Sequence, residues 1–184
     1  MPVINTPPEL KVIIGDMDKR VRKLEQSPAK RPYGLFYDTT NQTAPSSASV
    51  YAVAIGSTLA SNMVSIVGGN QITVARTGIY NVQFSLAFKN SSAQARDVQV
   101  WFRHNAVDEP YSNTDLTVPP KKGAVDGAAV AAWNFLIEMN EGDFIQLMWW
   151  NESSTVTMPT LGPFTAPVRP YAPSAIVSVV EEAW

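Results

Sequence analysis

The chain holds one histidine, His104, and acids follow it at short intervals: Asp108, Glu109, Asp115, Asp126, Glu138, Glu141 and Asp143. Four chemistries could use such residues. Nucleophilic hydrolysis would need a serine and an acid around His104, but no G-x-S-x-G or H-E-x-x-H pattern accompanies it. His104 shares strand phase with Val98, Val100 and Phe102, which places it at the edge of a core. Glycoside hydrolysis would need two carboxylates at a fixed separation, and Glu138, Glu141 and Asp143 could supply them. They flank the turn signal Asn140-Glu141-Gly142-Asp143, so the plainer reading is that they are turn acids. Ca²⁺ takes several oxygen ligands, and Asp108, Glu109, Asp115 and Asp126 could offer them if they converge. No EF-hand spacing is present, and no other cofactor is expected. The fourth chemistry is recognition. The segment Asn105–Asp115, "NAVDEPYSNTD", brings together Asp108, Glu109, Tyr111 and Asn113, the mixture of acid, aromatic and amide that holds sugars. Its alternative is an ordinary polar loop.

No nucleophile–base pair stands out, so the chain is expected to be a non-enzyme. Of its 184 residues 45% are hydrophobic and only 16% charged, and there is no cysteine, so neither disulfides nor thiolate metal sites support the fold. No leader-like apolar stretch opens the chain and no run of about 18 apolar residues occurs. Synthesis and assembly in the cytoplasm, without a membrane, are therefore expected. The charge is unevenly placed. Residues 1–31 carry seven Lys/Arg against four acids, and the rest carries seven against twelve. Nucleic acid is not an expected partner, because the basic residues sit on the slender part and the aromatic body is acidic.

That slender part reads as a helix over about residues 6–27. Thr6-Pro7-Pro8-Glu9 forms a capping box with proline where its missing N–H costs nothing, and Ser27-Pro28 ends the helix. Val3-Ile4 just before it reads as a docking tag or as a hydrophobic staple. Leu10, Ile14, Met17, Val21 and Leu24 recur at spacings of four, three, four and three, the a and d positions of a heptad. Arg20 and Glu25 then fall at g and e, where a parallel neighbour could pair them, and Asp18–Arg22 is a favourable i,i+4 pair. A helix this short is marginal in isolation. It must pack against copies of itself or against its own body, and the strict heptad spacing favours copies.

From Tyr33 the period changes to two. "GIYNVQFSLAFK" alternates Tyr80, Val82, Phe84, Leu86 and Phe88 with polar or small residues, and "DVQVWFRH", "AAWNFLIEM" and "DFIQLMWWN" do the same. Shorter runs stand at 33–37, 49–55, 70–75 and 174–180, with turn signals between them. Trp149 and Trp150 must face opposite ways in a strand, and Trp150 is expected at an interface. Three Asn-x-Ser/Thr triplets, at Asn41, Asn90 and Asn151, read as chance. The pattern predicts an all-β jelly-roll sandwich behind a helix, with segments 1–31 and 32–184.

In order, Gly78-x-Tyr-x-Val-x-Phe-x-Leu86, Val98-x-Val-Trp-Phe-Arg-His-Asn105, Met139-Asn-Glu-Gly-Asp-Phe-Ile-Gln-Leu147 and a last strand from Ala175 resemble the strands of the C1q/TNF-like jelly roll over residues 33–181. The resemblance implies a homotrimer, with the helix as a three-stranded parallel coil in place of a collagen-like stalk. The cysteine-free, Ser/Thr/Asn/Ala-rich head behind a "PPEL" helix is also similar to small structural proteins of tailed bacteriophages. That likeness implies a virion protein: a minor tail or fibre protein anchored by its helix to other phage structural proteins, with a head for a host glycan or wall polymer. A capsid decoration protein is the alternative placement, and a trimeric lectin-like module is a third reading.

Overall fold

The computed structural model describes residues 8–26 and 31–182, with helix side chains described from Leu10 to Arg22. Thr6, Pro7 and the Val3-Ile4 tag lie outside the described residues, as do the side chains of Leu24 and Glu25. The chain divides into two units, Met1–Arg31 and Pro32–Trp184.

The first unit is a helix, α1 (Pro8–Gln26). Leu10, Ile14, Met17 and Val21 are each between 45% and 58% exposed, and Ile13 widens the apolar stripe. The expected Asp18–Arg22 pair is present at 3.1 Å. An apolar stripe left half in water, on a helix too short to persist alone, calls for a partner surface.

The second unit is an all-antiparallel sandwich. One sheet contains β1 (Tyr33–Asp38), β2 (Gln42–Thr43), β4 (Ser57–Asn62), β7 (Gly78–Asn90), β11 (Gly127–Met139), β13 (Val156–Met158) and β16 (Ala175–Glu181). The other contains β3 (Tyr51–Ala52), β5 (Val64–Val67), β6 (Gln71–Val74), β8 (Arg96–His104), β9 (Val107–Asp108), β10 (Thr114–Val118) and β12 (Phe144–Asn151). A small hairpin, β14 (Phe164–Thr165) with β15 (Val168–Arg169), stands apart. In the first sheet β7 is central: β16 and then β13 run along one side, β11 along the other, and β1 and β4 continue beyond β16. Among the described strands β11 pairs with β7 alone, over all thirteen residues. In the second sheet β12 and β8 lie together at the centre.

The core forms where the alternating faces meet. Tyr80, Val82, Leu86 and Phe88 from β7 are buried against Val98, Val100 and Phe102 from β8 and Ile145, Leu147 and Trp149 from β12. Phe84 meets Phe102 edge-on at 5.7 Å, Phe102 stacks on Phe135 at 5.4 Å, and Phe88 lies 5.8 Å from Trp149. These ring pairs bridge the sheets at separations where aromatic contacts add to area burial.

Two expectations change. Met148 is buried although its phase is opposite to Leu147 and Trp149. Trp133, on the core side of β11, is 43% exposed because β11 is the sheet's last strand there and the sandwich is open at its rim. Trp150 faces away from the core as expected and is half-buried, its indole N–H donating to the carbonyl of Ser47 at 2.6 Å. Asn90 and Asn151 are fully buried and bound to neighbouring backbone, which makes them unfit as glycan acceptors.

Candidate binding site

The site is built on the outer face of β8. Its core face takes Val98, Val100 and Phe102, so Gln99, Trp101 and Arg103 point the other way. After His104 the chain reverses through Asn105-Ala106, whose φ angles of 46° and 67° give the two-residue turn that suits the twist of a hairpin. Register follows from that turn: Arg103 faces Asp108 and His104 faces Val107. Directly opposed residues share a face, so Asp108 arrives beside Trp101 and Arg103. The Arg103 Nε donates to Asp108 Oδ1 at 2.7 Å, and the Trp101 indole N–H donates to the same oxygen at 2.8 Å.

Beyond Asp108 the chain leaves the sheet and rejoins it as β10. Ser112 closes this excursion. Its buried hydroxyl accepts from the Phe102 backbone N–H at 3.0 Å and donates to the Glu109 carbonyl at 2.8 Å, while the Glu109 N–H donates to the Phe102 carbonyl at 2.9 Å. Pro110 and Tyr111 are thereby pushed out over the sheet. Tyr111 has φ 63° and is 98% exposed. A left-handed backbone at a bulky residue is uncommon and is held only by surrounding structure; here Ser112 does the holding. Just before β10, the Asn113 side-chain amide donates to Gln99 Oε1 at 3.4 Å.

All four residues singled out in this segment, Asp108, Glu109, Tyr111 and Asn113, line one cleft of about 260 Å³, together with Gln99 and Trp101. Sequence reading did not include the last two. Their signal was present: they occupy the positions between Val98, Val100 and Phe102.

The acids are already partnered. Arg103, through its hydrogen bond, holds the Asp108 carboxyl below the ordinary carboxylate range, with Trp101 assisting. A depressed folded pKa gives a contribution that is complete above the unfolded value of about 3.9 and is lost as pH falls through the lower folded value. The Trp101 indole N–H resonance is therefore expected to stay constant from neutral pH to about 4 and to move only below it. An Asp108→Asn variant should remove that step, and a step unchanged in the variant would assign it to another group.

His104 bridges two turns, with Nε2 3.2 Å from Asp143 Oδ2 and Nδ1 3.9 Å from Glu109 Oε2. Asp143 also accepts from the Asn105 side chain at 2.8 Å and the Asn140 backbone at 2.7 Å, and these bonds, Asn105 foremost, lower its pKa. It is a turn acid. The Glu141 backbone N–H donates to the Thr77 hydroxyl at 3.0 Å, and Glu138 points outward on β11. Among the described residues no group of three or more His, Cys, Asp or Glu is placed to hold a metal, so Asp108, Glu109, Asp115 and Asp126 do not converge as a calcium site would require. No helix among the described residues is long and apolar enough to cross a membrane.

The opposite side of the sandwich carries an apolar patch on β1 and β16. Tyr33, Leu35 and Tyr37 of β1 lie beside Ile176 and Val180 of β16 on the outer face of the first sheet. Next to them an apolar groove of about 290 Å³ is lined by Leu35, Tyr37, Leu59, Tyr171, Pro173 and Ile176.

Two facing antiparallel sheets with this strand order define a TNF-like jelly roll. The solved structures of murine APRIL are similar: at pH 8.0 the TM-score is 0.55 and at pH 5.0 it is 0.54, each at 12% identity and covering 83% of this chain and 100% of that one. At such identity the likeness establishes the fold, a C1q/TNF-like β-sandwich preceded by one short helix. No family model and no curated protein matches the sequence.

Proposed function

We propose that this chain is a non-enzymatic structural protein of a tailed-phage particle, a homotrimeric minor tail or fibre protein. Its N-terminal helix, Leu10, Ile14, Met17, Val21 and Leu24 with Arg20 and Glu25 at the flanks, coils with two copies and docks on other particle proteins. Its head carries an attachment surface. The observation that carries the reading is the division of the head into two outer faces. One is apolar around Leu35, Tyr37 and Ile176, and the other is polar with a cleft. An exposed apolar face of this kind marks an assembly surface, and TNF-like jelly rolls are typically trimeric. The half-exposed stripe on α1 asks for the same partners. The virion placement rests on the texture of the sequence and the basic helix segment.

Gold-labelled antibodies against residues 32–184 on intact particles test the placement. Label at the tail end supports it, label over the shell makes the protein a capsid decoration protein, and label on neither leaves a free trimeric lectin-like module. The coil has its own test. Ile14→Asp with Val21→Asp is expected to lower the melting temperature and make it depend more steeply on protein concentration. A double variant that melts like the parent at every concentration would remove the helix from trimer assembly.

A further inference from the structure

We propose that the cleft over β8 is a saccharide site that takes one uncharged pyranose unit, with the ring set between Trp101 and Tyr111. This deepens the reading of the head as an attachment module and rests on it. At about 260 Å³ the cleft lies at the small end of ligand pockets, which suits a single ring at the end of a chain. Its two aromatic residues come from different elements, Trp101 from the rigid central strand and Tyr111 from the pinned excursion above it. A sugar ring has an apolar C–H face and a rim of hydroxyls, and aromatic side chains offer large apolar surfaces with few rotatable bonds to freeze.

The polar groups match the rim. Each hydroxyl donates one hydrogen bond and accepts others. Asp108 and Glu109 supply acceptors, while the amides of Gln99 and Asn113 supply both roles. Tyr111 is aimed outward at the expense of a left-handed backbone, and no core contact accounts for its position.

Charge selects the class of sugar. Asp108 is paired with Arg103 at 2.7 Å, while Glu109 lies 3.9 Å from His104, an imidazole that carries charge only when protonated. Beside Trp101, where the ring sits, Arg103 answers the charge of Asp108, so the ammonium of an amino sugar would meet a guanidinium as well as a carboxylate. A uronic or other acidic sugar would set its carboxylate against two carboxylates.

The test uses the full chain and its ¹H–¹⁵N spectrum, following the Trp101 indole N–H, identified by its loss in Trp101→Phe. Glucose, galactose, mannose and N-acetylglucosamine are titrated, with glucosamine and glucuronic acid as charged counterparts. At least one neutral sugar is expected to give a saturable shift and to bind better than both charged ones. Tyr111→Ala should weaken that binding about tenfold or more, as loss of one ring face implies. Its melting temperature should not change, because the ring packs on nothing. The proposal is overturned if no neutral sugar shifts the resonance, if a charged sugar binds best, or if Tyr111→Ala binds like the parent. Trimers found on particles that bind none of these sugars would overturn the site alone. Sugar binding by a chain absent from particles would keep the site and remove the placement.

Discussion

Tyr80→Ala is expected to destabilise the head by about 3–5 kcal/mol, the range for a core aromatic replaced by alanine. Tyr80 is fully buried near the start of β7, the strand that β11 and β16 both pair with. Its phenol oxygen donates to the Arg76 carbonyl at 2.6 Å, and the Arg76 side chain is bound to Glu181 of β16. The ring thus fills the sandwich while its hydroxyl ties down the chain entering β7. Tyr80→Phe separates the two roles, because it removes only the hydrogen bond and should cost about 1 kcal/mol. Phe84→Ala should cost as much as Tyr80→Ala, since it leaves Phe102 without its edge-on partner. Denaturant melts at one fixed protein concentration measure all three. Parent-like midpoints for both alanine variants would refute the phase assigned to β7.

The second large effect is on assembly. Ile176→Glu with Val180→Glu places two carboxylates among Tyr33, Leu35 and Tyr37 on the apolar outer face. An ionised group buried without a partner costs several kcal/mol. About 4 kcal/mol lost per subunit contact weakens association roughly a thousandfold. If the parent forms the proposed trimer, the variant is expected to sediment as a monomer at the same concentration. Its far-ultraviolet circular dichroism should stay native-like, because both positions point away from the core. A variant that remains trimeric would move the interface to another face.

Residues whose surroundings are set by local period were legible in the sequence. Tyr80 to Phe88 alternate because β7 has core on one face only, and the same argument places Val98, Val100 and Phe102. It failed where tertiary context differs along a strand. Met148 breaks the alternation of β12, and Trp133 keeps the core phase but lies at an open rim. Strands β4 and β10 were missed because their ladders hold largely polar residues, "STLASN" and "TDLTV", whose pairing is fixed by partners distant in sequence. The four loop residues of the cleft were legible as a composition. That Gln99 and Trp101 complete it depends on the hairpin register set by Asn105-Ala106, which residue types alone do not specify. The turn acids were legible as such: Asp143 was preferred as a turn acid over a catalytic one, and its oxygens are bound by Asn105, Asn140 and His104.

The long pairing of β11 with β7 has a cost on its other side. Alternate residues of the thirteen-residue strand "GAAVAAWNFLIEM" present backbone donors and acceptors along a flank that contains no proline and no lysine, and carries one charge, Glu138. Folded proteins usually guard such a border with a bulge, a basic side chain or a covering segment. Here a lone head exposes an adhesive border to any extended chain it meets. Folding without prompt incorporation into a larger body is therefore a route to precipitation, and the yield of native protein depends on how soon that border is screened.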